Sequence, residues 1–394
     1  LQKILLKAGI RRNMDKKTIV IKIGTDLVNK NLEVKGNPLS QITKQICEIK
    51  KQYNINFIIV SSGAVGCGLS LLGLNKKPQQ LSMKQALAAI GQVELMKRYT
   101  KLFQFHSNKK IIPAQILITR SDLDNRVSYI NILNTLHELL SLKNVIPIIN
   151  ENDTIAVEEL RFGDNDTLSA RIAVRVNAHL LVLLTNVDGL YTDSPQKNPN
   201  AQFIPVVEKL SQEIFSWAHD TVNPTAVGGM STKLEAIKIA WHAGIPSIIA
   251  NGNTRGILQN IIENKGKFTQ FLPPTNKISQ RKSWIAFGRT IKGKVYIDEG
   301  AVKALIEKGK SLLPVGIKHV EGNFKKGDCV SIISPDGLEL GRGITNLNKE
   351  ELEKVCGKKT SEIRNIIQNW LFEEVIHRDN MLLFKDNSTM EEKT

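Results

Sequence analysis

The chain has 394 residues, 41% of them hydrophobic, with 54 Lys and Arg against 38 Asp and Glu, a formal net charge of +16. That length and apolar content suit a two-domain protein with a real core, and they exclude disordered and fibrous classes. No apolar run approaches the roughly eighteen residues of a membrane-spanning helix. The four cysteines (Cys47, Cys67, Cys329, Cys356) have neither disulfide-framework nor zinc spacing, which points to a reducing, cytoplasmic setting and to no metal-ligating set.

In chain order, Leu1 to Asn13 is basic and partly apolar, without the long apolar core and small-residue cleavage site of a targeting segment. With Met14 just ahead of Asp15-Lys16-Lys17, residues 1–15 read as an extension upstream of the functional domain. Thr18 to Ile23 is a β-branched run that ends in Gly24, with Lys22 just before the turn. Asn56 to Val60 is a second such run, opening into Ser61-Ser62-Gly63-Ala64 and continuing through Gly66 and Gly68. Both predict buried strands with glycine turns at their carboxyl ends.

Lys84 to Phe105 predicts a helix, Lys110 to Thr119 a strand, Arg126 to Leu142 a helix, and Val145 to Asn150 a strand leading into Glu151-Asn152-Asp153. Phe162-Gly163-Asp164-Asn165-Asp166-Thr167 then runs into Leu168, Ile172 and Val176, four apart, the pattern of a loop feeding a helix capped by Asp166 or Thr167. Taken alone, this stretch is open between a metal loop, a helix cap and an active-site hinge. The metal-loop reading fails on spacing, because the fifth position of a calcium-type frame from Asp164 is Leu168. A strand follows to Asn186, then Val227-Gly228-Gly229-Met230-Ser231-Thr232-Lys233 leading into a helix from Leu234 to Ala243, and a last strand from Ile245 to Ala250.

Strands alternating with long helices predict an α/β fold, a mostly parallel open sheet sandwiched by helices. In such sheets ligands bind outside the carboxyl ends of the strands. The clusters at Lys22/Gly24, Ser62/Gly63, Asn152/Asp153, Asp164 to Asp166 and Thr185/Asn186 all fall there. Beyond Gly266 the character changes. The expected boundaries are 16–270 for the first domain, 271–283 for a linker, 284–370 for a small C-terminal β-barrel domain and 371–394 for a polar tail.

The chain has no Walker A loop, no Rossmann glycine motif, no nucleophile elbow and no protein-kinase motif set. None of the seven histidines falls in the clusters, which disfavours histidine acid–base chemistry. Glycine-rich backbone, two lysines and several acidic or amide side chains suit phosphoryl transfer, in which positioning and charge stabilisation do most of the work. Taken singly, Lys22 is a surface charge, Gly228-Gly229 a flexible turn, and Ser62 or Asp153 a cap. Independent caps need not share one sheet edge, so the set carries the functional reading.

As a set, Ile21-Lys22-Ile23-Gly24-Thr25, Ser61-Ser62-Gly63-Ala64, Ile149-Asn150-Glu151-Asn152-Asp153, Phe162-Gly163-Asp164-Asn165-Asp166, Leu183-Leu184-Thr185-Asn186 and Gly228 to Lys233 resemble the amino acid kinase superfamily. Asp298-Glu299-Gly300-Ala301, Ser311 to Ile317 and Gly322 to Asp328 resemble a PUA domain. The resemblance implies ATP- and Mg2+-dependent phosphorylation of the L-glutamate side-chain carboxylate to glutamyl 5-phosphate, the first step of proline synthesis. It also implies a homo-oligomer, dimer or tetramer, with glutamyl phosphate reductase as the possible next enzyme.

By motif, Lys22 and Lys233 stabilise the transferred phosphoryl group, and Asp164 and Asp166, Asp166 above all, orient those lysines. Ser62, Gly63, Asp153 and Asn165 hold glutamate. Lys22, Thr185, Asn186, and Val227, Gly228, Gly229, Met230, Ser231, Thr232 and Lys233 line the nucleotide pocket. The family often has Asp where this chain has Asn186 and Ser where it has Asp26, so Asp26 is left out of the site. The competing readings are a related kinase for N-acetylglutamate or aspartate, which the PUA-like domain argues against, and an RNA-binding protein through that PUA-like domain, with the net charge of +16 in support. No tight, salt-sensitive RNA binding is expected. Lys233→Ala and Asp166→Ala are each expected to reduce turnover far more than stability.

Overall fold

The computed structural model describes residues 17–29, 37–74, 76, 78–156, 165–195, 198–218, 229–273, 291–358, 360–363 and 374–384. The N-terminal extension, most of the expected linker and the end from 386 lie outside them. The chain divides into two compact units at residues 277 and 278.

β1 (Lys17–Ile23) is the middle of the first unit's sheet, parallel to β2 (Ile55–Ser61) on one side and β5 (Leu180–Thr185) on the other. β3 (Ile112–Ile118) and β4 (Val145–Glu151) extend the sheet beyond β2, again in parallel. The short pair β6 (Leu190–Tyr191) and β7 (Phe203–Ile204) stands apart. β8 (Val206–Val207), β9 (Ser247–Asn251) and β10 (Thr269–Phe271) complete the order β3-β4-β2-β1-β5-β9-β10-β8. The mostly parallel sheet is as expected. The last strand is not, because β10 follows β9 and pairs antiparallel with it, too short a run for its pattern to be read.

The two-residue period of a strand divides β1 between two cores. Ile19, Ile21 and Ile23 face one, and Val20 faces the other. Lys22 shares the face of Val20. The helices are α1 (Thr25–Asn29), α2 (Pro38–Gln52), α3 (Ala64–Leu71), α4 (Leu81–His106), α5 (Arg120–Asp124), α6 (Arg126–Ser141), α7 (Asn165–Arg175), α8 (Gln212–Ser216), α9 (Met230–His242) and α10 (Ile257–Glu263). α2, α4 and α10 cover the isoleucine face, while α6, α7 and α9 cover the face that carries Lys22.

Sequence reading assigns nothing to the stretch between β1 and β2, where the structure has α2. Its start is nonetheless chemically marked: the Asn37 side chain accepts from Leu39 N, and Pro38 occupies the first turn, where no donor is needed. Gly66 and Gly68 belong to α3 rather than to an extended turn. Gly63 precedes that helix at a φ of 113°, a conformation only glycine adopts cheaply.

α3 and α4 cross at two glycines. A Cβ on Gly91 would lie 1.8 Å from the Ala64 carbonyl oxygen, and one on Gly68 would lie 2.1 Å from that of Leu87. Gly91→Ala is therefore expected to lower the melting temperature, at a cost of about 1–3 kcal/mol from forced separation of the helices. Alanine in an unobstructed helix would stabilise instead, so an unchanged or higher melting temperature in a thermal scan would refute the close crossing.

The second unit holds β11 (Ile291–Ile297), β12 (Ile317–Gly322), β13 (Cys329–Ile333), β14 (Glu339–Ile344) and β15 (Met381–Leu383), in the order β12-β11-β13-β14-β15. Helices α11 (Glu299–Ile306) and α12 (Lys349–Val355) pack with it around Val295, Phe324, Val330 and Leu352. The expected polar tail from 371 is corrected here. Leu312 bridges Ile376, and β15 pairs antiparallel with β14 as the sheet's last strand, burying Met381 and Leu382. Three residues are too few for a strand pattern to show in sequence.

Candidate active site

Lys22 is one residue short of the end of β1 and only 6% exposed, so a cation sits at the rim of a hydrophobic sheet. Burying it is tolerable only if it is paired. Its Nζ lies 2.7 Å from Asp166 Oδ1. Asp166 is the second residue of α7, in a first turn where a carboxylate is also favoured by the helix dipole. The other oxygen, Oδ2, is 3.2 Å from Lys233 Nζ and accepts from Thr232 Oγ1 at 2.9 Å.

Lys233 lies inside α9 rather than ahead of it, because the helix begins at Met230. Helical side chains lean toward the helix N-terminus. The Lys233 ammonium accordingly folds back to donate to the Gly229 carbonyl at 3.3 Å, ending at the same edge as Lys22. One buried carboxylate thus holds two lysines from β1 and α9. Beside them, a Cβ on Gly24 would come 3.8 Å from Lys22 Nζ, in van der Waals contact with that ammonium.

Burial pushes the Asp166 carboxyl up, but Lys22 and Lys233, with hydrogen bonds from Lys22 and Thr232, outweigh it and bring it down from 3.8 to about 2. Asp166 is therefore a carboxylate throughout the neutral range. Because its folded pKa is depressed, its contribution to stability is complete above pH 3.8 and is lost as pH falls toward 2. The urea midpoint of the chain, relative to that of Asp166→Asn, is expected to fall across that window and nowhere above it. A difference that changed between pH 5 and 8 would contradict the pairing.

Around Asn165, the first residue of α7, is a second cluster. Its Nδ2 donates to Ser62 Oγ at 2.9 Å, Ser61 O at 3.2 Å and Asn150 Oδ1 at 3.1 Å. Tyr99 in α4 donates to Ser61 Oγ at 2.8 Å from beneath. Gly63 completes the turn, and Asp153 follows β4 in the adjoining loop, half-buried. At the far side of β1, Thr185 ends β5 and Asn186 is exposed, donating to Asp26 Oδ2 at 3.5 Å. Asp26 and Asn186, the two positions that depart from the family's usual residues, thus face each other. Asp188 accepts from Asn251 at 3.0 Å and from Lys267 at 3.3 Å; those bonds, the Asn251 one first, hold its carboxyl below the ordinary range.

The structure brings Lys22, Asp166, Thr232 and Lys233 into one cluster and Ser62 and Asn165 into another beside it. Gly229, Met230 and Ser231 form the entry to α9. Asp164, Val227 and Gly228 lie outside the described residues. The expectation that Asp166 or Thr167 caps the helix is corrected. α7 already begins at Asn165, so both lie within its first turn, and the Asp166 carboxylate is committed to the lysines. The Thr232 hydroxyl, in the stretch expected to line the nucleotide, is within hydrogen-bond reach of both Asp166 Oδ2 and Gly229 O. Two residues that sequence reading does not single out adjoin the second cluster: Asn150 accepts from Asn165 and donates to Gln92. Asn150 stands one residue before the end of β4, inside the Ile149 to Asp153 motif, whereas Gln92 sits mid-helix with no sequence signal.

No three His, Cys, Asp or Glu side chains converge as metal ligands among the described residues. Since Asp166 is also paired with two lysines, the described side chains do not form a resident magnesium centre.

The amino acid kinase family model matches residues 17–251, and the PUA domain model matches residues 293–367. A glutamate 5-kinase of Caldanaerobacter subterraneus subsp. tengcongensis is 43% identical over 93% of this chain and 98% of its own length. A glutamate 5-kinase of Dictyoglomus thermophilum is 45% identical over 94% of this chain and 98% of its own. One from Thermoanaerobacter sp. strain X514 is 42% identical, again over 93% and 98%.

Proposed function

Since the chain belongs to the amino acid kinase family, among its glutamate 5-kinases, we propose that it transfers the γ-phosphoryl group of ATP to the side-chain carboxylate of L-glutamate, the step that opens proline synthesis. It is a phosphotransferase with a carboxyl acceptor. One observation carries the assignment of residues: two buried lysines from different elements meet on the single buried carboxylate of Asp166 at the sheet edge where ligands bind.

The reaction follows from that arrangement. The acceptor carboxylate, with an ordinary pKa of about 4.3, is ionised at neutral pH and needs no general base. One of its oxygens bonds to the γ-phosphorus while the bond from that phosphorus to the β–γ bridging oxygen breaks, giving glutamyl 5-phosphate and ADP. Charge builds on the equatorial and bridging oxygens. Lys22 and Lys233, held in place before the substrate arrives, meet that charge without reorganising. Asp166 positions both ammonium groups and leaves the pair with a surplus positive charge for the phosphates.

Asn165, Ser62, Gly63 and Asp153 take the amino acid. The Asn165 oxygen and the Asp153 carboxylate suit its ammonium group, and the Ser62 hydroxyl suits a carboxylate. Thr185, Asn186 and the stretch from Val227 to Lys233 take the nucleotide, and Asp164 supports Asp166. Magnesium enters as the counter-ion of the nucleotide phosphates rather than through a protein cage. A homo-oligomer and a following reductase complete the reading, because an acyl phosphate is short-lived in water and calls for prompt consumption.

The test is an assay with ATP, Mg2+ and hydroxylamine, which traps acyl phosphates as hydroxamates. Glutamyl hydroxamate is expected with L-glutamate. Product with N-acetylglutamate or aspartate but not with glutamate would overturn the assignment.

A further inference from the structure

Three side-chain amides run in series at the end of the sheet. Asn165 Nδ2 donates to Asn150 Oδ1 at 3.1 Å, and Asn150 Nδ2 donates to Gln92 Oε1 at 2.8 Å. Such a row has two polarities, and turning every amide over reverses it. The backbone decides between them here. The Glu151 N–H donates to Asn150 Oδ1 at 2.9 Å, and a backbone donor cannot be turned over.

With Asn150 so held, Asn165 must present its nitrogen to Asn150, and Gln92 must present its oxygen. The two ends of the row are then left without partners: Asn165 Oδ1 and Gln92 Nε2 are buried with no hydrogen bond. A buried unpaired polar atom costs about 1–3 kcal/mol. A row that leaves an acceptor open at the Asn165 end matches a ligand that brings an N–H donor.

We propose that Gln92 is a positioning residue for the amino-acid substrate: by accepting from Asn150 it holds the amide row so that Asn165 Oδ1 faces the substrate's ammonium group. The proposal rests on the reading that Asn165 takes glutamate. Two features of α4 support it. Gly91, the neighbour of Gln92, seats that helix against the start of α3, and Tyr99, seven residues on, donates to Ser61 beneath the same pocket. α4 thereby anchors the pocket from one side, through residues of which none belongs to the phosphate cluster.

Gln92→Met retains length and bulk but removes the acceptor. Its KM for L-glutamate is expected to rise at least about tenfold, a loss of about 1.4 kcal/mol, with the KM for ATP within about twofold and kcat within about threefold of the parent. Gln92→Asn, which withdraws the amide by one methylene, should move in the same direction and covers the case in which the methionine variant does not fold. In an Asn150→Ala background the Gln92 substitution should add nothing further, since the effect passes through Asn150. An unchanged KM for glutamate, an equal rise in the KM for ATP, or independent effects of the two substitutions would each overturn the proposal. The unaltered chain is assayed beside them. Should it form no hydroxamate from glutamate, the functional reading fails; should it form hydroxamate while the Gln92 variants match it, only the role of Gln92 fails.

Discussion

Lys233→Ala is expected to lower kcat by about 100- to 1000-fold, the loss typical of removing one preorganised group that meets transition-state charge. Stability should hardly change. Asp166 retains Lys22 at 2.7 Å and the Thr232 hydroxyl at 2.9 Å, so no buried carboxylate is left bare, and one desolvated ammonium is removed. Lys233→Arg should remain well below the parent, because a planar guanidinium does not reproduce a point charge folded back on the Gly229 carbonyl at 3.3 Å. Steady-state kinetics with a thermal melt on the same sample decides the matter. A variant with near-parental kcat would remove Lys233 from the chemistry.

Asp166→Ala should give the other large effect, with a different signature. Turnover is expected to fall about 100-fold or more, because both lysines lose their orientation. Sequence alone predicts that turnover falls far more than stability, but the structure adds a large stability loss. Asp166 is 1% exposed, and its removal leaves two nearly buried ammonium groups facing each other, Lys22 at 6% and Lys233 at 5% exposure. Breaking a buried pair costs about 3–5 kcal/mol. ATP supplies the missing negative charge, so it should raise the melting temperature of the variant more than that of the parent. A variant as stable as the parent without nucleotide, or one that ATP stabilises no better, would contradict the two-lysine arrangement.

The architecture was legible because its signals are local. The β-branched run before Gly24, the long helix from Leu81 to His106 and the apolar run of β5 announce themselves by composition and period. α2 is marked in the sequence by Asn37-Pro38 at its start, and β10 and β15 leave no sequence signal because three residues carry no period. Pairing with longer neighbours makes such short segments strands, and pairing is not a property of the segment itself.

Much the same holds for the site. The sequence by itself determined which residue types stand at the carboxyl ends of the strands, and therefore that Lys22 and Asp166 belong to one edge, while Lys233 joined them through its glycine-led motif. The tertiary structure alone decided how they divide the work. Lys22 and Asp166 are 144 positions apart in the chain and Asp166 and Lys233 are 67, yet the carboxylate binds both lysines, one per oxygen. It also decided that Thr232 serves that carboxylate, and that Gln92, unmarked in a helix, accepts from Asn150. A hydrogen bond is fixed by distance and direction between atoms, and separation along the chain encodes neither.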